Sequence, residues 1–167
     1  MRVLVAYGTK YGSTEEVAAA VTATLRERGL DVELQAAAAV DNVDTYDAVV
    51  LCGALYFGRL HADATGFLAR HRGELSKQPV AVFGMGPKTT DAKDMADSRA
   101  QLDKALERFP EVSPRAVAIF GGVVAPTKLR FPLNRLPASD ARDWHAIEAW
   151  AEKVGEEFAA AIAQLAR

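Results

Sequence analysis

The sequence predicts an α/β domain built on a single doubly wound, five-stranded parallel sheet with helices on both faces. Short apolar runs alternate with longer segments that have the spacing of amphipathic helices. Strands that are apolar on both sides are typical of parallel sheets covered by helices. The 167 residues, half of them hydrophobic, suffice for one sizeable core, and no linker or repeat divides them. We therefore assign residues 1–167 to one domain.

Five short apolar segments are the predicted strands. In chain order they are Arg2–Tyr7, Asp31–Gln35, Ala48–Gly53, Val80–Met85 and Ala116–Gly121. They are rich in valine and other residues that suit a pleated, buried surface. The alanine-rich stretch after the second of them, residues 36–40, is predicted to be a strand exit or a short helix.

Four longer segments are the predicted helices. They are Ser13–Arg28, Ala62–Arg72, Ser98–Arg108 and Asp143–Ala166. In the first of them Val17, Val21 and Leu25 recur four residues apart, which places them on one face of a helix. Each helix can therefore cover the sheet with an apolar stripe.

Charge and composition exclude several classes of function. The formal net charge is −2 and the pI about 5.9, whereas a general nucleic-acid binder has a basic excess. Cys52 is the only cysteine, so no disulfide forms within the chain, and its apolar surroundings predict a buried thiol. The chain enters its first strand at once and has no apolar stretch of membrane-spanning length. We expect a cytoplasmic protein.

Possible metal ligands are scattered along the chain. His61 follows the third strand, while His71 and His145 fall on predicted helices and are expected at the surface. This spacing predicts no metal site. Three aspartates spaced three apart fit a solvated loop or helix start better than a cation site: Asp91, Asp94 and Asp97.

The turn between the first strand and the first helix is the most informative segment. Amides at a helix N-terminus attract a phosphate, and the turn adds the hydroxyls of Thr9, Ser13 and Thr14. It lacks the Gly-Lys-Ser/Thr triplet of the Walker loop and the third glycine of the dinucleotide fingerprint. We predict that it binds a phosphate through Thr9, Lys10, Tyr11, Gly12, Ser13 and Thr14. The alternative is an ordinary turn in which Ser13 or Thr14 caps the helix.

Two further segments follow the carboxyl ends of strands, where such folds bind ligands. After the third strand the candidates for cofactor contact are Ala54, Leu55, Tyr56, Phe57 and Gly58. After the fourth they are Gly84, Met85, Gly86, Pro87 and Lys88. Aromatic residues beside a phosphate loop indicate a phosphorylated planar ligand, and flavin mononucleotide (FMN) meets that description. The alternative for Tyr56 and Phe57 is a hydrophobic cover over the end of the sheet.

The run Thr9–Thr14 resembles the Thr-x-Thr/Tyr-Gly-x-Thr phosphate signature of the flavodoxin family. The order of strands and helices fits that family over the whole chain. The resemblance implies FMN as the cofactor and a sheet of flavodoxin type with strand order 2-1-3-4-5.

Within the family, the sequence is most similar to the menaquinone-dependent protoporphyrinogen oxidase branch. The matching features are Gly53-Ala54, Phe57-Gly58 followed by His61, Phe67-Leu68, Lys77 with Pro79, and Asp143-Trp144. That branch has a long basic and aromatic insertion after the fifth strand. Here the corresponding residues 125–137 are fewer and contain three prolines, so a long helix is not expected.

The predicted flavin surroundings are basic, with Arg59, His61 and Lys88, and further on Lys128 and Arg130. Positive charge stabilises an anionic reduced flavin, which favours two-electron chemistry with a quinone-like or other aromatic partner. We predict His61 as the catalytic residue, which donates to flavin or substrate or shuttles a proton. The alternatives are that Arg59 and Lys88 are solvated surface charges and that His61 is a surface histidine.

Two rival functions stay open: a one-electron carrier that docks a reductase, and an interaction domain without flavin. A phosphoacceptor receiver domain is rejected, because Tyr7-Gly8 and Cys52-Gly53 stand where that class needs acidic residues. The basic and apolar residues 128–131 allow a peripheral membrane contact, but they are too few for an anchor. The sequence leaves the oligomeric state open.

Overall fold

The computed structural model describes residues 1–167 and shows an α/β fold around a central sheet. The strands are β1 (Arg2–Gly8), β2 (Asp31–Ala36), β3 (Ala48–Tyr56), β4 (Arg59–Leu60), β5 (Val80–Met85), β6 (Ala116–Phe120), β7 (Val123–Val124) and β8 (Ser139–Asp140). The helices are α1 (Ser13–Glu27), α2 (Ala62–Arg70), α3 (Arg72–Leu75), α4 (Ala92–Leu106) and α5 (Trp144–Leu165).

Five parallel strands lie in the order β2-β1-β3-β5-β6. Since β4 is a two-residue strand that pairs only with β3, this order is the predicted 2-1-3-4-5 with one short strand added. Because all four pairs of neighbouring strands are parallel, the carboxyl ends of the five strands lie at the same edge of the sheet, which we call the carboxyl edge.

Alternate residues of each strand pack on opposite faces of the sheet. In β1, Val3 and Val5 contact the layer of α1 and α5, while Leu4 and Ala6 contact the layer of α2 and α4. All four side chains are fully buried. The two apolar layers explain why the strands read as continuous hydrophobic runs rather than as an alternating pattern.

Two helix predictions differ from the structure, one in its start and one in its continuity. The fourth-strand loop is followed by a helix that begins at Ala92, six residues before the predicted start at Ser98. The predicted helix Ala62–Arg72 is interrupted at His71, whose backbone (φ −113°, ψ 17°) ends α2 before α3 begins at Arg72. No α-helix connects β2 and β3; a 3-10 turn over Ala37–Ala39 packs against α2 instead. The stretch 36–40 is thus a strand exit with a short helical turn, as predicted.

The prediction of a surface position for His71 is wrong. Its ring is 6% exposed, lies 4.8 Å from the ring of Phe67, and places Nε2 3.3 Å from the carbonyl oxygen of Val40. A helix break turns the residue inward, which helical spacing alone does not show.

The segment between β6 and α5 contains no long helix, as its prolines predicted. Two 3-10 turns, Pro126–Lys128 and Leu133–Arg135, lie between β7 and β8, which pair as a short antiparallel ribbon. Phe131 between the turns is 69% exposed. No helix of the protein combines the length and the apolar character needed to span a membrane.

Candidate functional site

The first turn of α1 presents free amides at the carboxyl edge. Gly12 holds the N-cap position with φ 87°, a left-handed conformation that favours glycine, and no side chain caps the helix. The first amide with a backbone partner is that of Glu16, which donates to the Gly12 carbonyl oxygen at 3.2 Å. The alternative of an ordinary capped turn is therefore wrong, and the uncapped amides are available to an anion.

Thr14 carries a buried polar group that a ligand could satisfy. Its side chain is fully buried, and its hydroxyl oxygen has no hydrogen-bond partner. A buried hydroxyl without a partner costs about 1–3 kcal/mol, so native proteins rarely keep one unless something else satisfies it. A phosphate at the α1 N-terminus would accept this hydrogen bond.

Two carboxylates beside the loop are each held by a donor. Tyr7 donates its hydroxyl to Glu15 at 3.2 Å, and burial together with the Glu15 charge raises the pKa of Tyr7. Arg142 donates to the Glu16 carboxylate from the segment before α5. Both negative charges are thus hydrogen-bonded within the protein.

Arg142 is fixed from three sides. Its Nε and Nη2 donate to Asp140 at 3.0 and 2.7 Å, and its guanidinium lies 4.8 Å from the Trp144 ring centroid. The hydrogen bonds to Asp140 raise the pKa of Arg142 and lower the pKa of Asp140. Lys128 adds a second tie between this segment and the loop, because its Nζ lies 3.4 Å from the Tyr11 carbonyl oxygen.

Tyr56 links the phosphate loop to the end of β3. Its hydroxyl accepts a hydrogen bond from the Lys10 amide at 3.3 Å. Its ring packs edge-on against Tyr11 on one side and against His61 on the other, with centroids 5.5 and 5.9 Å apart. Tyr56, which the sequence predicts to contact the cofactor, thus also holds the loop Thr9–Thr14 in place.

The β3–β4 hairpin holds Phe57 in an unusual position. Tyr56 pairs with Arg59, so Phe57 and Gly58 form a two-residue turn with φ values of 49° and 76°. This turn favours Asn-Gly, and a bulky residue at positive φ is strained. Phe57 is nevertheless 88% exposed, so no packing with the core repays the strain. The hydrophobic-cover alternative is wrong for Phe57.

The remaining predicted cofactor contacts divide into buried and exposed residues. The side chains of Ala54, Leu55 and Met85 lie in the core, so only their backbone atoms could face a ligand. Gly84 and Pro87 are buried as well, and Gly86 is half-buried. Exposed at the edge are Gly58 and Lys88.

His61 caps α2. Its Nδ1 accepts a hydrogen bond from the Asp63 amide at 3.1 Å, which places the proton of a neutral ring on Nε2. The ring also contacts Tyr56, so it lies beside the predicted cofactor loops. Its catalytic role stays a prediction.

The segments that meet at the carboxyl edge have an unusual charge distribution. Residues 9–14, 54–61, 86–90 and 121–139 carry six of the 20 Lys and Arg residues and none of the 22 Asp and Glu residues, although Glu15, Asp91 and Asp140 directly follow three of these segments. The rest of the chain then has 14 basic and 22 acidic residues. We call these four segments the basic edge.

Comparison with known proteins supports what this geometry indicates. A profile of the flavodoxin domain matches residues 4–135, which is most of the chain. The chain belongs to the flavodoxin domain family. Membership of this family implies FMN as the cofactor.

Solved structures confirm the fold. Oxidised flavodoxin 2 from Bacillus cereus superimposes with a TM-score of 0.62 at 21% identity, over 95% of this chain and 100% of that one. The rubredoxin oxygen:oxidoreductase of Desulfovibrio gigas gives 0.65 at 14% identity, over 97% of this chain and 37% of that one.

One curated relative has an assigned reaction. Protoporphyrinogen IX dehydrogenase [quinone] of Escherichia coli K12 is 24% identical over 87 residues. The match covers 51% of this chain and 48% of that protein, so the chain matches about half the length of this relative.

The site residues fit FMN. The unpartnered Thr14 hydroxyl and the uncapped amides of α1 would hold its phosphate, and the hairpin and the β5 loop flank the edge where its ring would lie. The sequence did not reveal the roles of Tyr7 and Arg142 at this site, because these roles consist of tertiary contacts with Glu15 and Glu16.

Proposed function

We propose that this flavodoxin-type domain is an oxidoreductase of the protoporphyrinogen-oxidase-like branch that exchanges two electrons with a quinone or another aromatic partner. FMN, when bound, supplies the redox chemistry, and the chain holds and orients it. The observation that carries the proposal is the basic edge, which contains six Lys and Arg residues, while the flanking carboxylates of Glu15, Glu16 and Asp140 are each hydrogen-bonded to Tyr7 or Arg142.

The basic edge favours a negatively charged ligand. A positive charge near a bound cofactor stabilises the cofactor's more negative, fully reduced state relative to less reduced ones. Arg59 and Lys88 are exposed and form no ion pair within the protein, so both cations are free to face a ligand. The chain thereby supports transfer of electrons in pairs.

Exposed aromatic rings supply contact for the partner. Phe57 and Phe131 are 88% and 69% exposed, and the Arg135 guanidinium lies 5.0 Å from the Phe131 ring centroid. A planar aromatic acceptor can stack on such rings. The same basic and aromatic residues suit a peripheral contact with an anionic membrane surface, where apolar quinones are found. His61, beside Tyr56, is the candidate proton donor.

Reductive titration tests the proposal. The FMN-loaded protein is reduced stepwise without oxygen while its visible spectrum is recorded. We expect one direct conversion from the oxidised to the fully reduced spectrum, followed by rapid reoxidation with a water-soluble quinone. A third spectrum that persists at half-reduction would assign the domain as a one-electron carrier instead. A protein that stays colourless with added FMN would support the interaction domain.

Phe57→Asn separates partner contact from folding. Because asparagine tolerates the left-handed conformation, the variant should be as stable as the wild type or more stable. It also loses the exposed ring, so we expect slower reoxidation by the quinone. If reoxidation is unchanged while FMN binding is intact, Phe57 does not contact the acceptor.

A further inference from the structure

A second concave surface lies on the α2–α4 side of the sheet, apart from the phosphate loop. It is an open groove of about 720 Å³. It begins at Tyr56 and His61 beside the hairpin and follows α2 to Phe109 after the end of α4. We call it the α2 groove. Neither the FMN phosphate nor the basic edge accounts for its far end.

The α2 groove is lined by cations and by no carboxylate. Arg59 stands at the hairpin end, and Arg72 and Arg108 stand at the far end. Arg59 and Arg108 form no ion pair within the protein. The two ends of the groove therefore each present an uncompensated positive charge to solvent.

Contacts of Arg72 fix the side chains at the far end of the groove. Arg72 pairs with Glu111 at 2.5 Å and donates to the Arg108 carbonyl oxygen at 3.1 Å. Its guanidinium lies 5.2 Å from the ring centroid of Phe109, which is buried. This packing keeps the apolar floor and the cations together without a partner present.

Between the two ends the groove is lined by small and apolar residues. Ala62, Gly66 and Ala69 of α2 line it, together with Leu60. A Cβ atom built on Gly66 would meet only the tip of Arg70, 3.3 Å away, so the space above the helix is open. A complementary ligand would therefore carry large apolar groups in its middle and negative charge at both ends.

We propose that the α2 groove docks an acidic, extended segment of a protein partner. The nine residues of α2 rise by about 13 Å, which four or five residues of extended chain span. Such a segment places carboxylates at both cationic ends and apolar side chains between them. Because the groove starts at Tyr56, the docked segment would bring the partner next to the flavin loops. The docking site itself does not depend on the proposed two-electron chemistry.

Fluorescence anisotropy with a labelled peptide tests the proposal on the full chain, with and without FMN. The probe is a seven-residue peptide with two acidic residues at each end and leucine and alanine between, and the control peptide carries lysines in place of the acidic residues. We expect saturable binding of the acidic peptide only. Equal binding of the lysine peptide would overturn the proposal.

Glycine variants locate the binding. Gly66→Leu fills the groove and replaces a glycine inside a helix, so the chain should fold as well as before. Gly73→Leu is the matched control, since Gly73 has open space around it and lies outside the groove. We expect at least about a tenfold loss of peptide affinity for Gly66→Leu, because the leucine side chain occupies the space that the peptide needs, and none for Gly73→Leu.

Charge variants and self-association complete the test. Arg59→Gln combined with Arg108→Gln should weaken peptide binding, with FMN absorbance measured in the same samples to confirm a loaded site. If Gly66→Leu binds the peptide as tightly as the wild type, the groove is not the docking site. If the chain instead forms a dimer that Gly66→Leu dissociates, the occupant is a second copy and the proposal is wrong.

Discussion

The two edges of the sheet carry charge in different ways. The basic edge has six basic residues and no carboxylate, whereas the segments at the amino edge (28–30, 41–47, 71–79 and 107–115) have five basic and six acidic residues. At the amino edge the two signs are mixed: Arg72 pairs with Glu111 at 2.5 Å, while Arg108 forms no ion pair. Charges that are paired internally add little to ligand binding, while unpaired charges of one sign attract a ligand. The contrast favours the basic edge as the place where an anionic ligand binds.

Thr14→Val should have the largest effect at the basic edge. A hydrogen bond from a hydroxyl to a charged acceptor contributes about 1.5–3 kcal/mol, so FMN affinity should fall roughly 10- to 100-fold. Without FMN the hydroxyl has no partner, so the Tm of the flavin-free protein should not fall. Flavin fluorescence titration and thermal unfolding measure the two quantities.

Thr22→Val is the matched control in the same helix. Thr22 is equally buried, but its hydroxyl donates to the Ala18 carbonyl oxygen at 2.9 Å. We expect its FMN affinity to equal that of the wild type. Riboflavin, which lacks the phosphate, should bind the wild type and Thr14→Val alike; a difference between them would contradict the phosphate assignment.

Alkaline pH should weaken the amino edge through Tyr46. Burial, and the hydrogen bond that Tyr46 donates to Glu33 at 2.6 Å, raise the pKa of Tyr46 from 10 to about 12. The folded state thus binds the proton more tightly than the unfolded state does. The stabilisation is complete below pH 10 and is lost as the pH rises toward 12, on the order of 1 kcal/mol by pH 11.

Urea unfolding of the wild type and of Tyr46→Phe at pH 9 and pH 11 measures this effect. The wild type should lose more stability between the two values than the variant, which has no group to titrate there. Equal losses would show that Tyr46 ionises in the folded and unfolded chains at the same pH. FMN affinity at pH 9 should be the same in both proteins, because Tyr46 lies away from the basic edge.

Arg142→Gln should have the smallest effect. The substitution releases Glu16 beside the phosphate loop, and repulsion between like charges should weaken FMN binding about two- to fivefold, the range of a partly exposed ion pair. The loss should shrink as salt is added. Adding Glu16→Gln to Arg142→Gln should restore affinity; if it does not, Arg142 acts by shaping the segment rather than by holding Glu16.

The amino-acid sequence predicted the sheet and, through the family resemblance, its strand order, and both are confirmed; the phosphate site at Thr9–Thr14 stays a prediction. Apolar runs such as Val80–Met85 and the spacing of Val17, Val21 and Leu25 are local patterns, and local patterns set secondary structure and which face is buried. The run Thr9–Thr14 could be recognised because a phosphate loop uses neighbouring residues on one turn.

Only the tertiary structure decided which side chains meet across distant segments. The contact of Arg142 with Glu16 joins residues 126 positions apart, and the hydroxyl of Tyr56 accepts from the amide of Lys10 over 46 positions. The same holds for the inward turn of His71 and for the α2 groove, which is lined by α2 and by residues that follow α4. Burial and pairing of this kind depend on packing between elements, and a linear pattern of residues does not encode it locally.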